Sequence, residues 1–336
     1  MERRRLRIAM AGAGFASGLH LAGWKRLDNA EVVAICDPDV EKAAARAREF
    51  GVAGVYNDAA AMLADVKPDA LDVVAPMHMH VRLCLLAAQR GVHILCQKPL
   101  APSLLEAKDL SRAIHGKVRL MVHENWRFRA HYRRLRSWLD AGFIGEPVSS
   151  IMQVHSSGLL ENEAGVRPQL ERQPFFAHLE RLLIGELLIH HLDVLRWLLG
   201  PLRVVTVRAG RLCAAVNGED HAVIVLEGQK RWVLLDGNLA TPGAPPTPSD
   251  RLELVGTKGT ALFENSTLQL RGEREETVEF DLVAGYGDSY AAAIAHFATA
   301  LASGAEFETD VDENLQTLAL VEDAYAAQRS LKSYEN

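Results

Sequence analysis

A glycine-rich segment with the sequence GAGFASG covers Gly12–Gly18 and directly follows the apolar run Leu6–Ala11. Where such a loop joins a strand to a helix, its first glycine permits a tight turn and its second lets the backbone approach a pyrophosphate. The helix N-terminus then stabilises the anion through its N–H groups and its dipole. The third position needs a small residue, here Ser17. The alternative is a plain glycine turn in a flavodoxin-like sheet. We predict a dinucleotide site formed by Gly12, Gly14, Phe15 and Ala16.

An acidic residue, Asp37, follows the next apolar run, Glu31–Cys36. A carboxylate in this place accepts hydrogen bonds from the adenosine ribose hydroxyls. It would repel the additional phosphate of NADP, and the neighbouring Pro38 brings no positive charge. The pattern therefore predicts NAD as the cofactor and disfavours NADP.

The tripeptide Gln97-Lys98-Pro99 comes directly after a further apolar run, Val92–Cys96. Ligands of open α/β sheets bind beyond the carboxyl ends of the strands. We predict that Gln97 and Lys98 face the cofactor, whereas the alternative is a surface lysine in a loop.

A second group lies at the end of the preceding apolar run, Ala70–Ala75, and so at the same edge of the predicted sheet. Here we predict that Pro76 and His80 contact the cofactor. The spacing of His78 and His80 would permit a metal ligand pair, but no acidic or sulfur ligand is nearby. We therefore predict no metal.

A predicted helix over Ile184–Leu199 carries Glu186 and His190 four positions apart, and Asp193 three positions further. This spacing places the three side chains on one face. A carboxylate beside an imidazole gives a general base that works near neutral pH. One alternative is a polar stripe that only borders the core. Another is a zinc site of H-H-x-D type with His191, although the H-E-x-x-H motif is absent.

Five arginines follow the segment His123–Trp126 at helical spacing, and such a group is typical of a solvated face. They are Arg127, Arg129, Arg133, Arg134 and Arg136. Arg127 is the one expected to reach a ligand. We predict that substrate is contacted by Trp126, Arg127 and Asp193.

Two kinds of element must position these residues. The first third alternates strand-like and helix-like segments, which predicts βαβ units and a doubly wound parallel sheet. After residue 124, strand-like runs follow one another with few helices between them, which predicts a mostly antiparallel open sheet. We expect a Rossmann domain over residues 1–123 and an α+β domain over 124–336. The segment Ser156–Arg181 has weak periodicity and is expected to be a long loop.

Composition excludes several classes of protein. The 336 residues are 49% hydrophobic and 24% charged, as in ordinary globular proteins, and the formal net charge of −6 disfavours nucleic acid as a partner. No segment approaches the length of a membrane span. A basic start before the uncharged run Ile8–Trp24 is similar to a secretory signal, but its four glycines and a histidine dilute the apolar character. The four cysteines lack metal spacing and fit reduced thiols in the cytoplasm.

The ordered set of motifs resembles the Gfo/Idh/MocA family of NAD(P)-dependent oxidoreductases. The residues that carry this resemblance are Gly12, Gly14, Ser17, His20, Asp37, Pro76, His80, Gln97, Lys98, Pro99, Glu186, His190 and Asp193. Four positions depart from the family pattern, and at two of them, Ala75 and Met77, polar contacts are lost. Gln97 stands where glutamate is usual and keeps hydrogen bonding without the charge, and Glu186 stands where aspartate is usual.

The resemblance implies hydride transfer between a sugar or polyol and a nicotinamide cofactor. His190 would remove the hydroxyl proton, Glu186 would orient His190, and Lys98 would hydrogen-bond the developing alkoxide. The alternatives are a non-catalytic NAD-binding sensor or regulator and an NAD-dependent glycosidase on the same scaffold. A homodimer or homotetramer formed through the C-terminal sheet is expected, because one sheet face needs burial.

Overall fold

A computed structural model describes residues 4–332 of the chain. The residues fall into two compact units. The first unit runs to Arg129 and includes Val283–Leu318, and the second consists of Ala130–Leu282 and the residues from Ala319 onward.

The first unit contains a six-stranded parallel sheet in the order β3-β2-β1-β4-β5-β6. Its strands are β1 (Leu6–Ala11), β2 (Ala30–Cys36), β3 (Gly54–Tyr56), β4 (Ala70–Val73), β5 (His93–Gln97) and β6 (Leu120–His123). The connecting helices are α1 (Phe15–Trp24), α2 (Val40–Phe50), α3 (Ala59–Val66), α4 (His80–Ala88) and α5 (Leu104–Ile114). This strand order is that of a dinucleotide-binding Rossmann sheet. The predicted doubly wound parallel sheet is confirmed.

The apolar strands of this sheet are buried because helices cover both faces. Ile8, Met10 and Leu71, for example, are fully inaccessible to solvent. Local signals also set the helix ends. Asp39 caps α2 through a hydrogen bond from the N–H of Lys42, and Gly51 ends the same helix in the left-handed conformation.

The second unit contains an eight-stranded sheet in the order β14-β13-β12-β11-β7-β10-β9-β8. Its strands are β7 (Pro147–His155), β8 (Arg203–Gly210), β9 (His221–Gly228), β10 (Arg231–Asn238), β11 (Ser249–Gly256), β12 (Gly259–Glu264), β13 (Thr267–Gly272) and β14 (Glu276–Glu279). Its first three helices are α6 (Ala130–Asp140), α7 (Pro168–Arg172) and α8 (Leu188–Leu199). Only β7 and β10 pair in parallel within this described sheet, so the predicted mostly antiparallel sheet is confirmed.

Two long helices end the chain. They are α9 (Leu282–Ser303) and α10 (Val311–Lys332). The sequence pattern predicts one domain boundary and assigns α9 to the second domain, whereas by packing α9 belongs to the first unit. The physical reason is that Ile294 and Phe297 of α9 are buried in the core of the Rossmann sheet, where Phe297 meets Trp24 edge to face.

The remaining differences concern short elements. The segment Ser156–Arg181 contains the one-turn helix α7, and the polar strands β13 and β14 at the sheet edge were not expected from the sequence. Among the described residues, no helix is both long and apolar enough to cross a membrane.

Candidate functional site

The glycine loop between β1 and α1 is held against the ends of two neighbouring strands. The N–H of Gly12 donates to the Cys36 carbonyl at 2.7 Å, and Gly12 has φ +110°. A Cβ atom at this position would lie 2.2 Å from the Val74 carbonyl oxygen. Only glycine fits here, as the motif predicts.

The N-terminus of α1 has the features of an anion site. Gly14 caps the helix without a side-chain hydrogen bond, and the first turn contains no acidic residue. A Cβ atom added at Gly14 would meet nothing within 4 Å, and the neighbouring Phe15 is 62% exposed. Ser17 is fully buried and donates to the Gly14 carbonyl at 2.6 Å. The loop therefore leaves room for a pyrophosphate beside the helix dipole.

Asp37 is fixed beside this loop. One carboxylate oxygen accepts from the N–H of Ala13 at 2.8 Å, and the other accepts from the N–H of Asp39 at 2.9 Å. The carboxylate thus lies at the carboxyl end of β2, adjacent to the glycine loop. A negatively charged acceptor in this place suits a ribose diol and disfavours a ribose phosphate.

His80 joins the two loops that follow β4 and β5. Its Nδ1 lies 2.8 Å from the Pro99 carbonyl and its Nε2 lies 2.8 Å from the Ala75 carbonyl. The predicted cofactor residues Pro76 and Lys98 are the chain neighbours of these two carbonyl groups. His80 is buried, so these two contacts lie inside the protein and not at its surface.

A buried layer of polar side chains lies at the end of β5. The sequence predicts that Gln97 faces the cofactor, whereas in the structure its amide lies against His20 and His123 of this layer. His20 binds Asp72 through Nδ1 at 2.9 Å, and Trp24 donates to the same carboxylate at 2.7 Å. Gln97 lies 2.6 Å from His20 and 3.2 Å from His123. The signal for this layer is Asp72, a single carboxylate inside an otherwise apolar strand.

In the second unit, the helix with the predicted base differs from a regular α-helix at its start. Residues Leu183–Leu187 form a π-helical turn, and α8 begins only at Leu188. The sequence spacing predicts that Glu186 and His190 share one face of a continuous α-helix. Glu186 instead lies half-buried in the π-helical turn, where this α-helical spacing does not apply. His190 is 4% exposed and Asp193 is buried on the same helix.

Two side chains from elsewhere in the second unit hold the π-helical turn. The carboxylate of Glu219 accepts from the N–H of Ile184 at 3.0 Å. The hydroxyl of Tyr325 accepts from the N–H of Gly185 at 3.1 Å and donates to Glu219. Burial, followed by the adjacent Glu219 charge, raises the pKa of Tyr325 well above its usual range. The turn is therefore supported by a neutral hydroxyl and a carboxylate.

His191, the next residue on α8, lies against a carboxylate. Its Nε2 lies 2.9 Å from a carboxylate oxygen of Asp250, and Tyr132 donates to the other oxygen at 2.7 Å. No group of three or more histidine, cysteine, aspartate or glutamate side chains that could hold a metal occurs within residues 4–332.

Arg127 is bound to other protein groups in the first unit. It is 2% exposed and donates to the Glu308 carbonyl at 2.9 Å and to the Glu313 carboxylate at 3.1 Å. These bonds favour a structural role over the expected substrate contact. The ring of Trp126 is covered by the guanidinium of Arg129, whose central carbon lies 3.9 Å from the ring centre.

Comparison with known proteins identifies both parts of the chain. Residues 6–124 match the model described as the Gfo/Idh/MocA oxidoreductase family with an NAD-binding Rossmann fold, and residues 132–262 match the C-terminal domain of that family. The predicted family, NAD cofactor and oxidoreductase class are confirmed by these matches.

Relatives of known activity extend the comparison. D-apiose dehydrogenase of Rhizobium rhizogenes is 33% identical, over 97% of this chain and 96% of its own length. Inositol 2-dehydrogenase 4 of Saccharopolyspora erythraea is 30% identical, over 64% and 60%. An oxidoreductase from Agrobacterium radiobacter, solved with NAD+, L-tartaric acid and magnesium, has a TM-score of 0.90 and 31% identity, over 97% and 96%. This chain is a member of the Gfo/Idh/MocA family of NAD-binding oxidoreductases.

Proposed function

We propose that this enzyme oxidises a hydroxyl-bearing carbon of a sugar or polyol, and that NAD+ accepts the hydride. One observation carries the proposal. The glycine loop leaves the N-terminus of α1 without a side-chain cap, and the Asp37 carboxylate binds this loop at the carboxyl ends of the parallel strands. Bound there, NAD+ would supply the hydride acceptor while the protein positions the reactants. Gly12, Gly14, Phe15 and Ala16 would cradle the pyrophosphate, and Asp37 would bind the ribose.

The chain's own residues would handle the proton and the developing charge. His190 takes the hydroxyl proton of the substrate, and Glu186 orients the imidazole. The ammonium of Lys98 donates a hydrogen bond to the oxygen as it becomes an alkoxide. Trp126 and Asp193 remain proposed substrate contacts, whereas Arg127 is better explained by its bonds to Glu308 and Glu313.

D-Apiose is the first substrate to test, because a D-apiose dehydrogenase covers nearly the whole chain at 33% identity. The purified protein would be given D-apiose, myo-inositol and simple glucosides with NAD+ or NADP+, and NADH would be followed by absorbance. We expect turnover with NAD+ and at least one of these compounds. NAD+ binding without turnover of any compound would favour the sensor, and release of an aglycone without net NADH would favour the glycosidase.

We further propose that the protein forms a homodimer or homotetramer through the C-terminal sheet. Trp232, Ile151 and Val223 are 58%, 40% and 39% exposed on its outward face. Leu234 lies between Ile151 and Val225 in the strand register of that face. Such an apolar surface is typical of an interface between subunits.

A cytoplasmic location is also proposed. The thiols of Cys36, Cys84, Cys96 and Cys213 are unpaired and buried. Burial raises the pKa of Cys36 to about 11, so this thiol is unreactive at neutral pH. Thiols without disulfides are typical of a reducing compartment.

A further inference from the structure

We infer that Gln97 is a positioning residue that holds Lys98 in place, and that it does so by donating to two neutral histidines, His20 and His123. The inference rests on the proposed role of Lys98 in hydride transfer. It deepens that role by assigning a function to the amide that replaces the glutamate usual in this family.

The first step is the tautomer of His20. Asp72 is fully buried in β4 and its carboxylate lies 2.9 and 3.1 Å from Nδ1 of His20. Trp24 donates to the same carboxylate at 2.7 Å, so Asp72 is satisfied as an anion. A carboxylate accepts, and Nδ1 of His20 must therefore carry a proton. In the neutral ring, Nε2 is then an acceptor.

The second step is the orientation of the Gln97 amide. Its Oε1 lies 3.2 Å from the backbone N–H of Lys98, which can only donate. Its Nε2 lies 2.6 Å from Nε2 of His20 and 3.2 Å from Nδ1 of His123. An amide nitrogen has two protons to donate, one for each ring. Rotating the amide by half a turn would place its nitrogen against the Lys98 N–H and its oxygen against ring nitrogens that have no proton.

The amide therefore joins three elements at the end of β5. It binds α1 through His20, β6 through His123 and the Lys98 backbone through its oxygen. His20 and His123 also lie against each other, with ring centres 4.2 Å apart, and Tyr290 covers both at 5.5 and 4.9 Å. The backbone of Lys98 is thus linked through one amide to two buried rings.

A carboxylate could not make the same set of bonds. Both of its oxygens are acceptors, so contact with Nε2 of His20 would require a second proton on that ring. The ionisable groups around this contact are Asp72, His123 and Tyr290, with the buried thiols Cys84 and Cys96 further along. Tyr290 in turn lies near Tyr286, Glu124 and Arg129. Burial raises the pKa of Tyr290 well above its usual range, so it stays neutral. An amide at position 97 can donate to both rings without requiring a second proton on either of them.

The test uses two substitutions of Gln97 and one control. Gln97→Met removes the hydrogen bonds at similar volume, and Gln97→Glu adds a carboxylate at similar shape. Gln89→Glu places the same charge on the exposed end of α4 in the same unit and is the matched control. Unfolding temperature and NAD+ affinity are measured for all three to show that each variant folds.

The first readout is independent of catalysis. Nitrogen-15 NMR of the histidine rings is recorded on the protein without substrate at pH 7. We expect wild type and Gln89→Glu to show His20 with a proton on Nδ1 alone, and Gln97→Glu to show protons on both nitrogens. A His20 signature in Gln97→Glu that is the same as in wild type would overturn the inference, whatever the activity.

The second readout is kcat against pH with the substrate found for the enzyme. We expect Gln97→Met to lower kcat by about 10- to 100-fold with little change in the KM for NAD+, because a small misplacement of a catalytic group costs this much. We expect Gln97→Glu to add an ionisation to the pH profile. Wild-type kcat in Gln97→Met would overturn the inference. The predicted NMR result in a protein that oxidises no sugar would instead overturn only the proposed function.

Discussion

At the residue scale, the glycine loop is shaped by contacts with the ends of the two strands that flank β1. The requirement for glycine at position 12 comes from the close approach of the Val74 carbonyl, and Asp37 binds the backbone of Ala13. Both contacts join strands that are neighbours in the parallel sheet, since β1 pairs with β2 and with β4. For this reason the motif predicts the geometry of the loop well.

Asp37 is expected to determine the preference for NAD+ over NADP+. Asp37→Ser removes the negative charge at the ribose position, so repulsion of the NADP phosphate is relieved and the bonds to the NAD ribose are weakened. We expect the preference for NAD+ over NADP+, measured as the ratio of kcat/KM values, to fall by at least about 10-fold, which corresponds to about 1.4 kcal/mol.

The control for this substitution is Asp39→Ser, which removes a charge two residues away on the exposed helix cap. It should leave the ratio within about twofold of wild type, since surface charges at this distance interact weakly. An unchanged ratio in Asp37→Ser would show that Asp37 does not select the cofactor.

Other residues of the site depend on partners far away in sequence and could not be predicted. Arg127 is bound by Glu308 and Glu313, which follow it by more than 180 positions. Asp72 joins the site only because His20 and Trp24 on α1 turn toward β4. A pattern of residue types along one segment carries no information about such pairs.

At the scale of elements, the sequence spacing misreads the start of the helix that carries His190. A regular α-helix would place Glu186 one turn before His190, but Glu186 lies in a π-helical turn, which does not have α-helical spacing. Such turns are rare and persist where neighbouring groups support them. Here Glu219 and Tyr325 bind the N–H groups of Ile184 and Gly185.

Tyr325→Phe tests whether this support matters for catalysis. The substitution leaves the N–H of Gly185 and one bond of Glu219 unsatisfied, which should lower the free energy of unfolding by about 1–3 kcal/mol. In the proposed mechanism Glu186 orients His190, so we also expect kcat to fall by at least about 10-fold and its pH profile to change when the turn that holds Glu186 loses this support. NAD+ affinity should stay unchanged, since Tyr325 lies in the second unit.

The matched control is Tyr56→Phe, which removes a hydroxyl bound to Asp65 in the first unit. It should change neither kcat nor the pH profile. A loss of stability in Tyr325→Phe with a normal pH profile would show that the hydroxyl supports the fold alone.

At the scale of the whole molecule, the outward face of the second sheet carries an apolar patch that contains Trp232, Ile151 and Val223. Trp232→Asp places a charge in this patch without changing a buried core position. If the patch is the subunit interface, the assembly should dissociate to a smaller mass in light scattering at micromolar concentration, because burying an unpaired charge is costly.

Lys230→Asp, in the turn next to the patch, is the control and should leave the mass unchanged. A wild-type protein that is monomeric at the same concentration would contradict the proposed assembly outright.

The division of the molecule into compact units shows why sequence order is an incomplete guide. Strand and helix patterns identify the Rossmann sheet and the second sheet correctly, since each is built from consecutive elements. Helix α9 departs from that order because its apolar face matches the surface left by α1 around Leu21 and Trp24. Hydrophobic periodicity predicts that a helix buries one face, but it does not identify the surface that covers it.

The central proposal is that Lys98 and His190 both act in one hydride transfer. The direct measurement is the single-turnover rate of NADH formation, with saturating NAD+ and substrate, in Lys98→Met, His190→Asn and the double variant. We expect each single substitution to slow the transfer by at least about 100-fold. The double variant should be much faster than the product of the two effects predicts, because both groups stabilise one transition state. Wild-type rates in either single variant, or fully multiplicative effects in the double variant, would contradict the claim.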